Sequence, residues 1–136
     1  MTGELAGLHP ESVVVAAGRP ARTPGAPMNV GIELTAPFQY GPDDNYYARQ
    51  ASTDTIRAFE DAVGALEGGS ALAFASGMAA ITAVVEAQPT GTVAVAPTSS
   101  YSGTASIFAL QAELGRMTVR EADVAETDAV RAALPG

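Results

Sequence analysis

The chain has 136 residues, 47% of them hydrophobic, and a mean hydropathy of +0.15, enough for one modest core. Charged residues make up only 16%, below the roughly 25% of an average domain, and the formal net charge of −8 excludes a nucleic-acid or anionic-membrane surface. With no cysteine and one histidine there is no disulfide framework, thiolate site or zinc site.

Residues 1–53 and 54–136 read differently. Six of the nine prolines fall at positions 10, 20, 24, 27, 37 and 42. The run from Arg19 to Pro27 excludes regular helix and central strand. Apart from a short helix around Glu11–Ala17, these residues are expected to form an extended arm. Val30, Ile32, Leu34, Phe38 and three tyrosines argue against a disordered leader and for an arm that packs on another surface.

From Asp54 the pattern becomes periodic. Ile56, Phe59, Val63 and Leu66 recur at helical spacing, with Asp54 or Thr53 as the cap and Gly68-Gly69 as the stop. Ala71–Ala75 reads as a short buried strand. Met78–Ala87 reads as a helix with Ile81, Val84 and Val85 inward, broken by Pro89 and Gly91. Thr92–Ala96 is a second strand, and Gly103–Leu114 a helix with Ile107, Leu110 and Leu114 on one stripe. Arg116–Arg120 is a third strand, and Thr127–Leu134 starts one more helix. Strands alternating with helices imply crossover units and a parallel sheet. A sheet of three short strands is smaller than usual and leaves edges open. The chain therefore reads as the N-terminal portion of a larger α/β fold.

Several standard sites are absent. There is no G-x-G-x-x-G after a strand, and a P-loop needs a lysine that the sequence lacks. No G-x-S-x-G elbow occurs, and His9 lies in the arm, far in sequence from Ser76. Asp43-Asp44 and Glu60-Asp61 are adjacent carboxylates and read as solvated turn and helix-surface charges.

What remains is a phosphate-and-ring constellation. Ser76-Gly77-Met78 is expected at a strand-to-helix turn, where glycine lets an anion approach the first helical amides. Taken alone it reads equally as a tight turn capped by Ser76. Tyr47 and Arg49, two residues apart, would point to one side of an extended segment and could converge on a phosphate, or be a surface arginine beside a packing ring. Tyr101 follows a strand end, where open parallel sheets bind ligands. Its ring could stack on a planar group or pack in the core.

In order and combination, five stretches resemble the Cys/Met-metabolism family of pyridoxal-phosphate enzymes. They are Asn45-Tyr46-Tyr47-Ala48-Arg49, Ala58-Phe59-Glu60, Ala65-Leu66-Glu67-Gly68-Gly69, the run from Ala71 to Ile81, and Tyr101-Ser102-Gly103-Thr104. That family includes cystathionine γ-synthase, cystathionine γ- and β-lyases and methionine γ-lyase. The resemblance runs from His9-Pro10-Glu11 to the end of the chain. It implies the N-terminal part of the fold type I, aspartate-aminotransferase-like fold, with a parallel-rich sheet and helices on both faces. Residues 1–53 would be an extended arm reaching a partner subunit, and 54–136 an incomplete N-terminal portion of the large cofactor-binding domain.

The resemblance also implies roles. Ser76, with the amides of Gly77 and Met78, would hold the phosphate of pyridoxal 5′-phosphate, and Tyr101 would stack on its ring. Tyr47 and Arg49 would reach the phosphate bound by the neighbouring subunit, which requires a dimer or a dimer of dimers, up to a homotetramer. The substrate would be a sulfur amino acid, undergoing elimination or replacement at Cβ or Cγ as in transsulfuration. Three places depart from the family pattern. Ser52-Thr53-Asp54-Thr55 stands where Asn-Pro-Thr is usual, Thr98-Ser99-Ser100 where an acidic residue is common, and Ser102 where glycine is frequent. The Schiff-base lysine is absent, as are the aspartate for the pyridine nitrogen and the arginine for the substrate carboxylate. As it stands the chain is expected to be inactive. Two further readings stay open: a non-catalytic remnant or subunit that binds a phosphorylated metabolite or a complete homologue, and an unrelated α/β domain with an ordinary Ser-Gly turn. No apolar run approaches the ~20 residues of a membrane span and no leader is evident, so a cytoplasmic location is expected.

Overall fold

Proline at position 10 decides where the first helix starts, because its missing N–H has no intrahelical partner at that point in any case. The computed structural model describes residues 5, 7–39, 47–51 and 53–134, which leaves Asp43-Asp44, Asn45-Tyr46, Ser52 and Pro135-Gly136 outside the described residues. Helix α1 spans Pro10–Ala16, one residue earlier at each end than predicted, and buries Val13. The Arg19–Pro27 run is irregular as expected, with a turn closed by the Ala26 N–H on the Thr23 carbonyl at 3.0 Å and Gly25 at φ 80°. A one-turn helix that the sequence reading missed, α2, covers Ala48–Ala51.

Helix α3 spans Asp54–Glu67. Of the two candidate caps, Thr53 is the one used and Asp54 is not: Thr53 Oγ1 accepts from the Ile56 N–H at 3.2 Å, and the residue is only 2% exposed. Asp54 becomes the first helical residue, where a carboxylate suits the positive end of the helix dipole. It also accepts from Arg57 at 2.6 Å, and that hydrogen bond raises the Arg57 pKa. The helix ends at Gly68, in the left-handed region at φ 69°, and the Gly69 N–H bonds back to the Gly64 carbonyl at 2.8 Å. This six-to-one closure is a Schellman stop. Gly64 is buried beneath it, and a Cβ there would lie 2.7 Å from the Gly69 oxygen.

The chain separates into two units, Met1–Ala73 and Phe74–Gly136. In the first, α1 packs on α3. Residues 31–33 are fastened to the start of α3 by three polar contacts. Thr55 Oγ1 accepts from the Glu33 N–H and donates to the Gly31 carbonyl, both at 2.9 Å, while the Asp54 N–H donates to the Glu33 carboxylate at 3.3 Å. Further along, Glu60 accepts from the Ala73 N–H at 2.7 Å.

The predicted strand Ala71–Ala75 does not form. A strand needs a neighbour to bond its backbone, and this segment has no ladder partner among the described residues. Leu72 and Phe74, expected in the core, are 78% and 46% exposed.

The second unit follows the predicted alternation with slightly shifted ends. Helix α4 covers Gly77–Glu86, strand β1 Thr92–Pro97, helix α5 Ser102–Glu113, strand β2 Met117–Ala122 and helix α6 Thr127–Ala133. Among the described residues the sheet has two strands rather than the expected three. They run parallel in the register Thr92↔Met117 to Pro97↔Ala122, joined by the α5 crossover. Helix α5 stops at Gly115 (φ 67°) in a second Schellman closure, with the Arg116 N–H on the Gln111 carbonyl at 3.0 Å. The predicted inward stripes are only partly buried. Val85 is enclosed, but Phe59, Leu66, Val84, Leu110 and Leu114 are exposed, because helical spacing fixes a face without supplying what covers it.

Gly18 tests the α1–α3 packing. It sits at φ 72°, and a Cβ there would overlap the Ala58 carbonyl oxygen and stand 2.9 Å from its carbon. Gly18→Ala is expected to cost about 2–4 kcal/mol, adding left-handed strain to a backbone clash. Urea denaturation followed by circular dichroism measures it, and an unchanged midpoint would contradict the packing.

Candidate functional site

The start of α4 leaves hydrogen-bond donors without partners. Ser76 is extended at φ −157°, ψ 157°, and its Oγ accepts from the Ala79 N–H at 3.1 Å. The Ala80 N–H then closes on the Ser76 carbonyl at 3.1 Å. The amides of Gly77 and Met78 have no acceptor among the described residues, as geometry requires for a first helical turn. The Ser76 hydroxyl, used as an acceptor by Ala79, keeps its own proton to donate. At Gly77 a Cβ would meet nothing within 4 Å, so this first turn is open to a ligand. Neither α4 nor α5 has an acidic residue in its first turn, so nothing there opposes an anion.

Tyr101 stands beside this turn. It follows the C-terminal end of β1 and begins α5 through its backbone: the Thr104 and Ala105 N–H groups bond to the Tyr101 carbonyl at 2.9 and 3.1 Å. That backbone role leaves the phenol unconstrained by capping, and the residue is 68% exposed. The point where Gly103 would carry a Cβ lies 2.8 Å from both Met78 Sδ and Tyr101 Cε1. The Met78 thioether and the Tyr101 ring therefore approach one another at the starts of α4 and α5, two helices that pack together. Through Met78, the first turn of α4 with its unpaired amides is linked to the Tyr101 ring at the start of α5.

Tyr47 and Arg49 belong to the first unit, and their local geometry differs from the extended segment expected. Tyr47 pairs with Pro37 in an isolated antiparallel bridge, and the Ala48 N–H bonds to the Ala36 carbonyl at 2.8 Å. The backbone then turns into α2, which carries Arg49. The two side chains still meet, because the Arg49 guanidinium lies 3.9 Å from the centroid of the Tyr47 ring. An exposed cation–π contact of this kind contributes about 0.5–1 kcal/mol. Stacking uses the flat face of the guanidinium and leaves its N–H edge for an acceptor.

Gly103, within the Tyr101-Ser102-Gly103-Thr104 stretch and at a predicted helix start, also lies where Met78 and Tyr101 approach one another. Glycine in a helix costs about 1 kcal/mol relative to alanine. That cost was the available signal that a close approach is needed there.

Residues 12–135 match the profile of the Cys/Met metabolism PLP-dependent enzyme family. The chain belongs to that family. Solved structures agree with the membership. A methionine γ-lyase from Micromonospora echinospora is 25% identical, with a TM-score of 0.76 over 96% of this chain and 36% of the lyase. A cystathionine γ-synthase from Xanthomonas oryzae pv. oryzae is 26% identical, with a TM-score of 0.71 over 93% of this chain and 34% of the synthase. A cystathionine γ-lyase from Lactobacillus plantarum, complexed with L-serine, is 25% identical, with a TM-score of 0.71 over 94% and 34%. The chain thus spans about a third of the length of the structures it matches. A comparison with curated proteins returned no match.

The fold is therefore that of the fold type I enzymes, and the family's cofactor is pyridoxal 5′-phosphate. The residues present fit its phosphate and ring in chemical kind. Two unpaired amides and a hydroxyl proton at a helix start suit an oxyanion, and the exposed Tyr101 phenol ring suits a planar heterocycle. No residue here can bond its aldehyde through a lysine, because the 136 residues contain none. No helix among the described residues is long and apolar enough to cross a membrane.

Replacing Ser76 removes the cap as well as a donor. Ser76→Ala is expected to lower unfolding stability by about 1 kcal/mol, with Ser76→Asp restoring most of it through the same acceptor geometry. Thermal denaturation of the three proteins decides this, and equal stabilities would contradict the capping role.

Proposed function

We propose that this chain forms the phosphate-holding and ring-stacking part of a transsulfuration-type enzyme that eliminates or replaces groups at Cβ or Cγ of sulfur amino acids. One observation carries the reading: α4 starts with the unpaired amides of Gly77 and Met78, and the Met78 side chain approaches the exposed Tyr101 at the start of α5. When bound, pyridoxal 5′-phosphate supplies an electron sink for negative charge developing at the substrate Cα. The chain's own residues bind and orient. The amides of Gly77 and Met78 and the Ser76 hydroxyl hold the phosphate against the positive end of α4. Tyr101 fixes the plane of the heterocycle by stacking, which sets which face a substrate meets.

Tyr47 and Arg49 take the second part of the role. In this reading residues 1–53 reach a neighbouring subunit, and the Arg49 guanidinium adds a charged donor to the phosphate held there. Stacked on Tyr47, that guanidinium loses fewer rotamers on binding than a free arginine. A dimer, or a dimer of dimers, is the assembly this arrangement calls for. The amine that carries the cofactor and moves protons during turnover is not among these residues, so the chain alone binds without turning substrate over.

The unpaired amides of Gly77 and Met78 serve equally a second reading, a non-catalytic subunit that holds a phosphorylated ligand or pairs with a complete homologue. Binding by the chain alone tests the shared core of both. Pyridoxal 5′-phosphate is expected to bind at least roughly tenfold more tightly than pyridoxal, since hydrogen bonds to a charged group contribute about 1.5–3 kcal/mol. Equilibrium dialysis of the two compounds measures the ratio, and equal affinities would remove the phosphate site from both readings. Co-purification with a lysine-bearing homologue separates the second reading from the first.

A further inference from the structure

Gly103 has no side chain to contribute, and its position explains why. The Cβ that any other residue would carry falls 2.8 Å from Tyr101 Cε1 and 2.8 Å from Met78 Sδ. Real Cβ atoms are not found so close to a neighbour, so one or both groups would have to move. Both contacts are with side chains, and neither is with backbone. The helix can therefore tolerate a methyl group there, but the ring and the thioether cannot keep their places. Gly103 has no positive φ among the described glycines, so conformational freedom does not account for a glycine here. Steric space does. Tyr101 is otherwise largely exposed, so little other packing holds its ring in position.

We infer that Gly103 is a positioning residue for the ligand's ring: its bare Cα seats the Tyr101 phenol against the Met78 thioether and so fixes the stacking face beside the anion-binding turn. The thioether contributes an S–aromatic contact, typically ~5 Å from the ring. Met78 then has two roles, its amide facing the phosphate and its side chain backing the ring. Recognition divides accordingly. The oxyanion is read by backbone and Ser76, and the planar heterocycle by a ring whose placement depends on residue 103. This inference rests on the cofactor reading above and adds a residue to it.

The test separates ring from phosphate. For the full chain, the affinities of pyridoxal 5′-phosphate and of inorganic phosphate are measured in wild type, Gly103→Ala, Tyr101→Ala and the double variant. Gly103→Ala is expected to weaken pyridoxal 5′-phosphate by roughly three- to tenfold, the range of a misplaced aromatic contact, while leaving inorganic phosphate unchanged. In the Tyr101→Ala background the Gly103→Ala effect should vanish, because both act through one ring. An equal loss for both ligands, or a loss that persists without Tyr101, overturns the positioning role. Wild-type binding of pyridoxal 5′-phosphate that Gly103→Ala leaves untouched overturns it too, whereas a wild-type chain that binds neither ligand overturns the cofactor reading itself. A further measurement leaves Gly103 in place. The Met78 methyl resonance, assigned with Met78→Leu, is expected to shift on Tyr101→Ala through loss of the ring current, and no shift would contradict the contact.

Discussion

A single capping bond organises the candidate site. Ser76 Oγ accepts from the Ala79 N–H, which starts α4 at Gly77 and commits the third first-turn amide. The two amides before it are left over, facing an approach that the glycine keeps clear. A helix begun by a bulkier or uncapped residue would have frayed there or covered the turn. The same event fixes where the Met78 side chain leaves the helix, and hence what the Tyr101 ring can rest against. Anion donors and aromatic face are thus both consequences of how one helix begins.

The two units are built by similar means. In each, a Schellman glycine ends a helix, Gly68 after α3 and Gly115 after α5, and sends the chain back toward the next segment. In each, apolar side chains also stand open: Phe59 and Leu72 in the first, Val84, Leu110 and Leu114 in the second. A pair of parallel strands such as β1 and β2 has two edges, and a parallel edge is a template for further strands. The low charge fraction of the sequence agrees with the open apolar side chains of each unit. The matched γ-lyase and γ-synthase structures are about three times as long as this chain.

Much of the architecture was legible in the residues. The β1–α5–β2 alternation was readable because periodicity changes with each element and Gly91 and Gly115 mark the junctions. The stops at Gly68 and Gly115 follow from glycine's access to positive φ. What failed was what local pattern cannot carry. Ala71–Ala75 has the composition of a strand, but strand identity depends on a neighbour the segment lacks here. Thr53 and Asp54 are both good caps side by side, and only the three-dimensional path chooses between them. A four-residue turn such as α2 is too short to show a period, so the Tyr47–Arg49 pair was expected on extended backbone. For the site, the residue types at 76–78 and 101 were readable one by one, and the family resemblance joined them. That Met78 and Tyr101 meet over Gly103 is a tertiary fact with only one local trace, a glycine where a helix prefers alanine.

The central claim is that an anion is held by the first turn of α4 with a ring stacked on Tyr101. Backbone amide NMR during titration with inorganic phosphate, and then with pyridoxal 5′-phosphate, reads it residue by residue. The Gly77 and Met78 amides should move furthest with either ligand, and the Tyr101 ring resonances should respond to pyridoxal 5′-phosphate alone. Shifts centred elsewhere in the chain, with the Gly77 and Met78 amides unmoved, would contradict it.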